Sequence, residues 1–88
     1  MDDARQTQIL RTVRRLFFQI KNWKILAVEY PDGKMFSYQD KTGQFHGNLL
    51  ITIWSDGRCE VETEGWFEKY QDLIHKEVLK LNQEENLP

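Results

Sequence analysis

Two turn signals, Pro31-Asp32-Gly33 and Ser55-Asp56-Gly57, constrain what this chain can fold into more than any other feature. Each lies between two short runs in which apolar residues alternate, the strongest short-range signature of a β-hairpin. Pro presets the first turn dihedral and Gly takes a positive φ at no steric cost, so both triplets suit a type I turn closed by a left-handed glycine. That geometry sets Tyr30 opposite Lys34, Val28 opposite Phe36 and Leu26 opposite Tyr38. At the second turn it sets Trp54 opposite Arg58, Ile53 opposite Cys59 and Ile51 opposite Val61. A third turn, Asp40-Lys41-Thr42-Gly43, sets Tyr38 opposite Phe45. Strands are therefore expected at about 24–30, 34–39, 44–54 and 58–63.

The parities agree across all three turns. One face collects Leu26, Val28, Phe36, Tyr38, Phe45, Leu49, Ile51, Ile53, Cys59 and Val61. The other collects Ser37, Gln39, Gln44, His46, Asn48, Thr52, Glu60 and Glu62, with a few apolar residues among them. One dry and one wet face is what an antiparallel meander needs. Gly47 falls on the dry face and marks a bulge or a close helix approach.

Helical periodicity flanks the strands. Ile9, Leu10, Val13, Leu16, Phe17 and Ile20 form one stripe, which predicts a helix over 3–22 with Asp2 and Asp3 at its start and Asn22 at its end. Phe67, Tyr70, Ile74, Val78 and Leu81, widened by Trp66 and Leu73, predict a second helix over 65–83, with Thr63 or Gly65 as its cap and a frayed tail at 84–88. Two apolar helix faces and one apolar sheet face bury each other in a two-layer α+β sandwich. The expected architecture is a single domain, 1–88, ordered helix, four-stranded antiparallel meander, helix (α-β-β-β-β-α), with both helices on one face of the sheet.

At 88 residues the chain is long enough for one modest core. Cys59 is the only cysteine, which rules out an intrachain disulfide. With no secretory signal and no apolar run of membrane length, the expectation is a small cytoplasmic protein without a membrane partner. The net charge is −2, split between +3 over residues 1–44 and −5 over residues 45–88. Such an asymmetry marks either opposed basic and acidic faces or an ordinary solvated surface.

Residues for chemistry are few. His46 and His75 lack any metal-ligand spacing, Cys59 has the parity of a core residue, and no nucleophile elbow or phosphate-binding loop is present. Glu60, Glu62 and Glu64 alternate along the last strand, where acids protect an edge. No enzyme, metal or cofactor is expected. Two exposed aromatic sites stand out instead. Phe18 points away from the first helix's apolar stripe, among Arg11, Arg14, Arg15 and Lys21. Ile25, Ala27, Met35, Leu50 and Trp54 share the outer sheet face, with Arg58 across from Trp54 for a cation–π contact. Strand one is the more apolar edge and is open to pairing with a partner strand or with its own copy.

These sites lead to an expected function. It is a non-enzymatic interaction module, regulatory or inhibitory, that binds another protein or forms a homodimer. A basic helix face carrying an aromatic ring also suits nucleic acid, the second reading. The helix–strands–helix order resembles that of the double-stranded-RNA-binding domain. That family has three strands and a Lys-rich start to its last helix, whereas this chain has four and reads Gly65-Trp66-Phe67-Glu68-Lys69 there, so no residues carry over. The third reading is a small-ligand pocket between helices and sheet, lined by Tyr38, Tyr70 or Cys59.

Overall fold

A computed structural model describes the backbone of residues 3–85 and the side chains of residues 4–80. The elements are α1 (Asp3–Leu16), β1 (Trp23–Tyr30), β2 (Gly33–Asp40), β3 (Gly47–Trp54), β4 (Cys59–Gly65), a short 3-10 helix (Trp66–Tyr70) and α2 (Gln71–Glu85). The strands form one open antiparallel sheet in the order β1-β2-β3-β4, and both helices pack on one face of it. The chain is the α-β-β-β-β-α sandwich that its sequence predicts. Among the described residues, no helix is long and apolar enough to cross a membrane. The placement of Asp2 and of the tail 86–88 lies outside the described residues. Residues 84 and 85, expected to fray, continue α2.

The Ser55-Asp56-Gly57 turn behaves as its composition dictates. Gly57 has φ 93°, Trp54 N–H donates to Arg58 O (2.9 Å), and Ile53 faces Cys59. The Pro31-Asp32-Gly33 turn does not. It is a two-residue turn in which Tyr30 faces Gly33, so Val28 faces Met35 and Ala27 faces Phe36. Gly33 is needed for space and not for its φ: a Cβ there would lie 2.8 Å from both Ile53 O and Trp54 Cε3. This one-residue difference turns β1 over. Leu26 and Val28, expected on the dry face, lie on the outer face with Tyr30. Ile25 and Ala27, expected outside, lie on the helix side.

The third turn departs in the other sense, being longer than expected, with a different consequence. Residues 41–46 form the connection, and Tyr38 faces Leu49, not Phe45. The shift is an even number of residues, so every face assignment in β3 survives. The Asp40 carboxylate organises this loop, accepting from Thr42 N–H (3.1 Å), Thr42 Oγ1 and Phe45 N–H (3.0 Å). Gly47 opposes Gly65 at a close backbone approach, where Trp66 N–H donates to His46 O (2.7 Å).

The helix expected over 3–22 stops at Leu16. Continued to Asn22 it would be about 30 Å long, against roughly 26 Å for an eight-residue strand, and would carry the chain past the start of β1. Instead the chain turns: Phe17 N–H still reaches Val13 O (3.1 Å), and Ile20 N–H closes back on Phe17 O (3.0 Å). Phe17 and Ile20 are thereby buried, and Phe18 is turned outward. The second helix likewise begins with a 3-10 turn, which places Phe67 in the core and leaves Leu73 exposed. No side chain caps that turn. Gly65 precedes it at φ 64°, and Thr63 Oγ1 reaches Gln71 Oε1 (2.8 Å).

The core joins Ile9, Val13 and Phe17 to Phe36, Tyr38, Leu49, Ile51, Ile53, Val61, Phe67, Ile74 and Val78. At one end Phe17 sits edge-on to Trp23, Trp66, Phe67 and Tyr70, with ring centroids 5.3–6.3 Å apart. At the other end the buried Arg5 guanidinium donates to Gly57 O (2.9 Å). Helix α1 therefore runs diagonally, from the β3–β4 turn to the start of β1. It leaves most of β1 uncovered, and no β1 residue belongs to the buried core.

Candidate interaction surface

The outer face of the sheet, away from the helices, is ordered in rows across the strands. The row nearest the hairpin tips is aromatic. Tyr30 and Trp54 stack across Gly33, with centroids 6.0 Å apart and planes 21° apart, and the Arg58 guanidinium lies 5.6 Å from the Trp54 ring. Asp56 holds that guanidinium, its carboxylate accepting from Arg58 Nε (2.8 Å) and Arg58 N–H (3.0 Å). Those hydrogen bonds lower the Asp56 pKa below its usual value. The next two rows are Val28, Met35, Thr52, Glu60 and then Leu26, Ser37, Leu50, Glu62. The last row, Lys24, Gln39, Asn48, Glu64, is polar, and Gln39 Nε2 donates to Asn48 Oδ1. Beyond the expected Met35, Leu50 and Trp54, the sheet thus brings Leu26, Val28 and Tyr30 to this face. They are 51%, 42% and 39% exposed.

The other side of β1 is also open. Ile25 is 38% exposed and Ala27 is exposed, while Glu29 pairs with Lys34 (3.1 Å). Beside them runs an open groove of about 590 Å³, lined by Arg14, Phe18, Lys21, Trp23, Ile25 and Lys41 among others. Phe18 is 72% exposed and belongs to the turn after α1, not to the helix. Lys21 Nζ donates to Phe18 O (2.8 Å). Of the four cations expected around Phe18, Arg14 and Lys21 share its groove; Arg11 and Arg15 are exposed on α1 and do not line it. Ile25 lies here, separated by the sheet from Met35, Leu50 and Trp54.

Among the described residues, the edge of β1 carries backbone groups that no strand uses. In an antiparallel ladder alternate residue pairs exchange both hydrogen bonds, and the pair closing a two-residue turn is one of them. Tyr30, Val28, Leu26 and Lys24 therefore point their N–H and C=O groups at β2, a phase that Lys41 N–H continues by donating to Asn22 O (2.8 Å). Trp23, Ile25, Ala27 and Glu29 point theirs at the free edge. The opposite edge, β4, is guarded by Glu60, Glu62 and Glu64, all exposed on the outer face. A meander keeps sequence order as spatial order, so part of the charge asymmetry along the chain becomes one across the sheet. Lys24 and the groove cations stand at β1, and the three acids stand at β4.

Groups for chemistry are scattered. His46 is exposed in the β2–β3 loop and His75 is half-buried on α2. Among the described residues, no group of three or more His, Cys, Asp or Glu is placed to hold a metal ion. Burial pushes the Cys59 thiol up to about 11, against a smaller lowering by Arg5. Burial also raises the pKa of the Tyr38 hydroxyl, which has no hydrogen-bond partner among the described residues. A second groove, of about 210 Å³, lies beside the β2–β3 loop and is lined in part by Gln19, Asp40, Thr42 and Phe45. Neither groove includes Tyr38, Tyr70 or Cys59.

Compared with known proteins, the chain matches no family model, no curated protein and no solved structure.

Proposed function

We propose that this protein is a non-enzymatic interaction module, regulatory or inhibitory in use, that takes a protein partner on the β1 side of its sheet. One observation carries this reading: β1 is apolar and exposed on both faces, and its outward backbone groups are unpaired by the sheet. An unguarded apolar edge favours a partner that adds a strand, and the outer row of Leu26, Val28, Tyr30 and Trp54 offers it an apolar floor. Tyr and Trp are enriched among residues that dominate interface energy, and Arg58 beside Trp54 adds a third such residue type.

Affinity capture tests the reading, comparing wild type with Val28→Glu/Trp54→Glu and with Arg14→Ala/Lys21→Ala, each checked for folding by circular dichroism. A protein retained by wild type and the Arg14/Lys21 variant but lost from the outer-face variant is the expected result. Retention by all three baits overturns the reading. The groove supports a second reading, because Arg14, Lys21 and Lys41 surround Phe18 and Trp23 as cations surround stacking rings in single-strand binders. Salt-sensitive binding of an oligonucleotide, abolished by Arg14→Ala/Lys21→Ala, is its signature.

A further inference from the structure

We infer that the β1 edge pairs with the β1 edge of a second copy of this chain, antiparallel, about a two-fold axis at Leu26. The inference rests on the proposed function and names the strand added at that site. Three observations select this occupant. The first is register. The outward-pointing residues are Trp23, Ile25, Ala27 and Glu29, symmetric about Leu26. A two-fold there pairs Trp23 with the partner's Glu29 and Ile25 with the partner's Ala27, making about eight backbone hydrogen bonds. Shifting the copy by one pair toward the turn sets Pro31, which has no N–H, against Trp23. Shifting it the other way leaves Glu29 unmatched.

The second observation is charge. In this register Lys24 faces the partner's Val28, and no like charges oppose each other. The partner's Glu29 enters beside Trp23, where Arg14, Lys21 and Lys41 line the groove. The Glu29 side chain is mostly exposed, and its ion pair with Lys34 (3.1 Å) is a surface one, worth little, that can be exchanged for the partner's groove cations. The third is the contrast between edges. A copy approaching β4 meets Glu60, Glu62 and Glu64, whereas β1 carries only Lys24 and Glu29 as charges. Because the same strand serves on both sides, the contact closes at two copies and does not propagate. The product is one eight-stranded sheet whose outer face joins Leu26, Val28 and Tyr30 of each copy.

Two measurements test this. Sedimentation of the full chain should give twice the chain mass. Ala27→Pro should return it to one chain mass with its circular dichroism retained, because the N–H removed points to the free edge and not to β2. Register is read by disulfide formation in a Cys59→Ser background. Residues facing across a non-hydrogen-bonded position stand about 4.5 Å apart at Cα, within disulfide range. Leu26→Cys should cross-link to itself. Lys24→Cys and Val28→Cys should not cross-link alone but should do so when mixed. A wild type of single mass, a dimer unaffected by Ala27→Pro, or cross-linking of Lys24→Cys with itself overturns the inference. A monomer that still loses its captured partner on Val28→Glu/Trp54→Glu would remove the two-fold and leave the interaction module standing.

Discussion

Phe17 and Phe18 are chemically identical neighbours that the fold separates completely. Phe17 is 1% exposed and meets four aromatic rings edge-on; Phe18 stands in solvent at the groove. Removing a buried Phe side chain loses its transfer free energy and leaves a cavity, about 3–5 kcal/mol together. The aromatic packing around Phe17 places Phe17→Ala at the upper end of that range. An 88-residue domain has a total stability of roughly 4–13 kcal/mol, so Phe17→Ala removes at least about a third of it and unfolds the chain where the total lies near the lower end. Phe17→Leu keeps most of the volume and gives a measurable intermediate, with a loss of about 1–3 kcal/mol. Phe18→Ala and Phe18→Leu should each fall within about 0.5 kcal/mol of wild type. Urea unfolding followed by far-ultraviolet circular dichroism reads all four, and it avoids tryptophan fluorescence, which Phe17 perturbs directly through Trp23 and Trp66. Equal losses at the two positions would refute the burial of Phe17 against the four rings and the exposure of Phe18.

Gly33→Ala should destabilise by about 1–3 kcal/mol in the same assay and weaken the near-ultraviolet signal of the Tyr30–Trp54 stack, because its Cβ meets β3 backbone and the indole at 2.8 Å. An unchanged midpoint would show that Trp54 does not lie over Gly33. Cys59 should react with a thiol reagent at pH 8 roughly a hundredfold more slowly in the folded chain than in urea, since burial lifts its pKa from 9.0 to about 11. Equal rates would place it outside the core. Asp40 is pushed up by desolvation, but hydrogen bonds from Phe45 and Thr42 outweigh this and hold its pKa below 3.8. A folded-state pKa below the unfolded one stabilises above the unfolded pKa, and that contribution disappears as the pH falls through the folded one. Asp40→Asn should therefore lose less stability than wild type on acidification below about pH 4. Parallel pH profiles would remove Asp40 as the organiser of the loop.

Register shows why some of this fold was legible in the sequence and some was not. Side chains in a strand alternate with period two, so only the parity of a turn error matters for face assignment. The β2–β3 connection differs from expectation by an even number of residues, and Leu49, Ile51 and Ile53 kept their face. The β1–β2 turn differs by one, and all of β1 inverted. Nothing in Pro31-Asp32-Gly33 alone separates a three-residue from a two-residue turn, because Gly33 suits either. The deciding contact is the Trp54 ring over Gly33, supplied by the neighbouring strand β3 and far from the turn in sequence. The end of α1 was hidden for a related reason. Ile20 continues the helical stripe and no Gly or Pro interrupts it, so the limit comes from the length of the sheet. For the surface, Trp54 beside Arg58 was readable from turn geometry. The groove that joins Phe18 to Trp23 and Lys41 depends on the turn that ends α1, and the outer positions of Leu26, Val28 and Tyr30 depend on the inverted strand.

The diagonal course of α1 has a consequence for how the chain is made. Each hairpin of the meander pairs residues close in sequence and can close soon after both strands leave the ribosome. Helix α1 emerges first but has little to pack on until the sheet and the 3-10 turn exist. Arg5 waits for Gly57, 52 residues downstream, a delay of about 3–10 s at ordinary rates of synthesis. Ile9, Val13 and Phe17 spend that interval without their core. Helix α1 is thus made before every element that buries it, and its apolar stripe waits longer for its partners than any other part of this core.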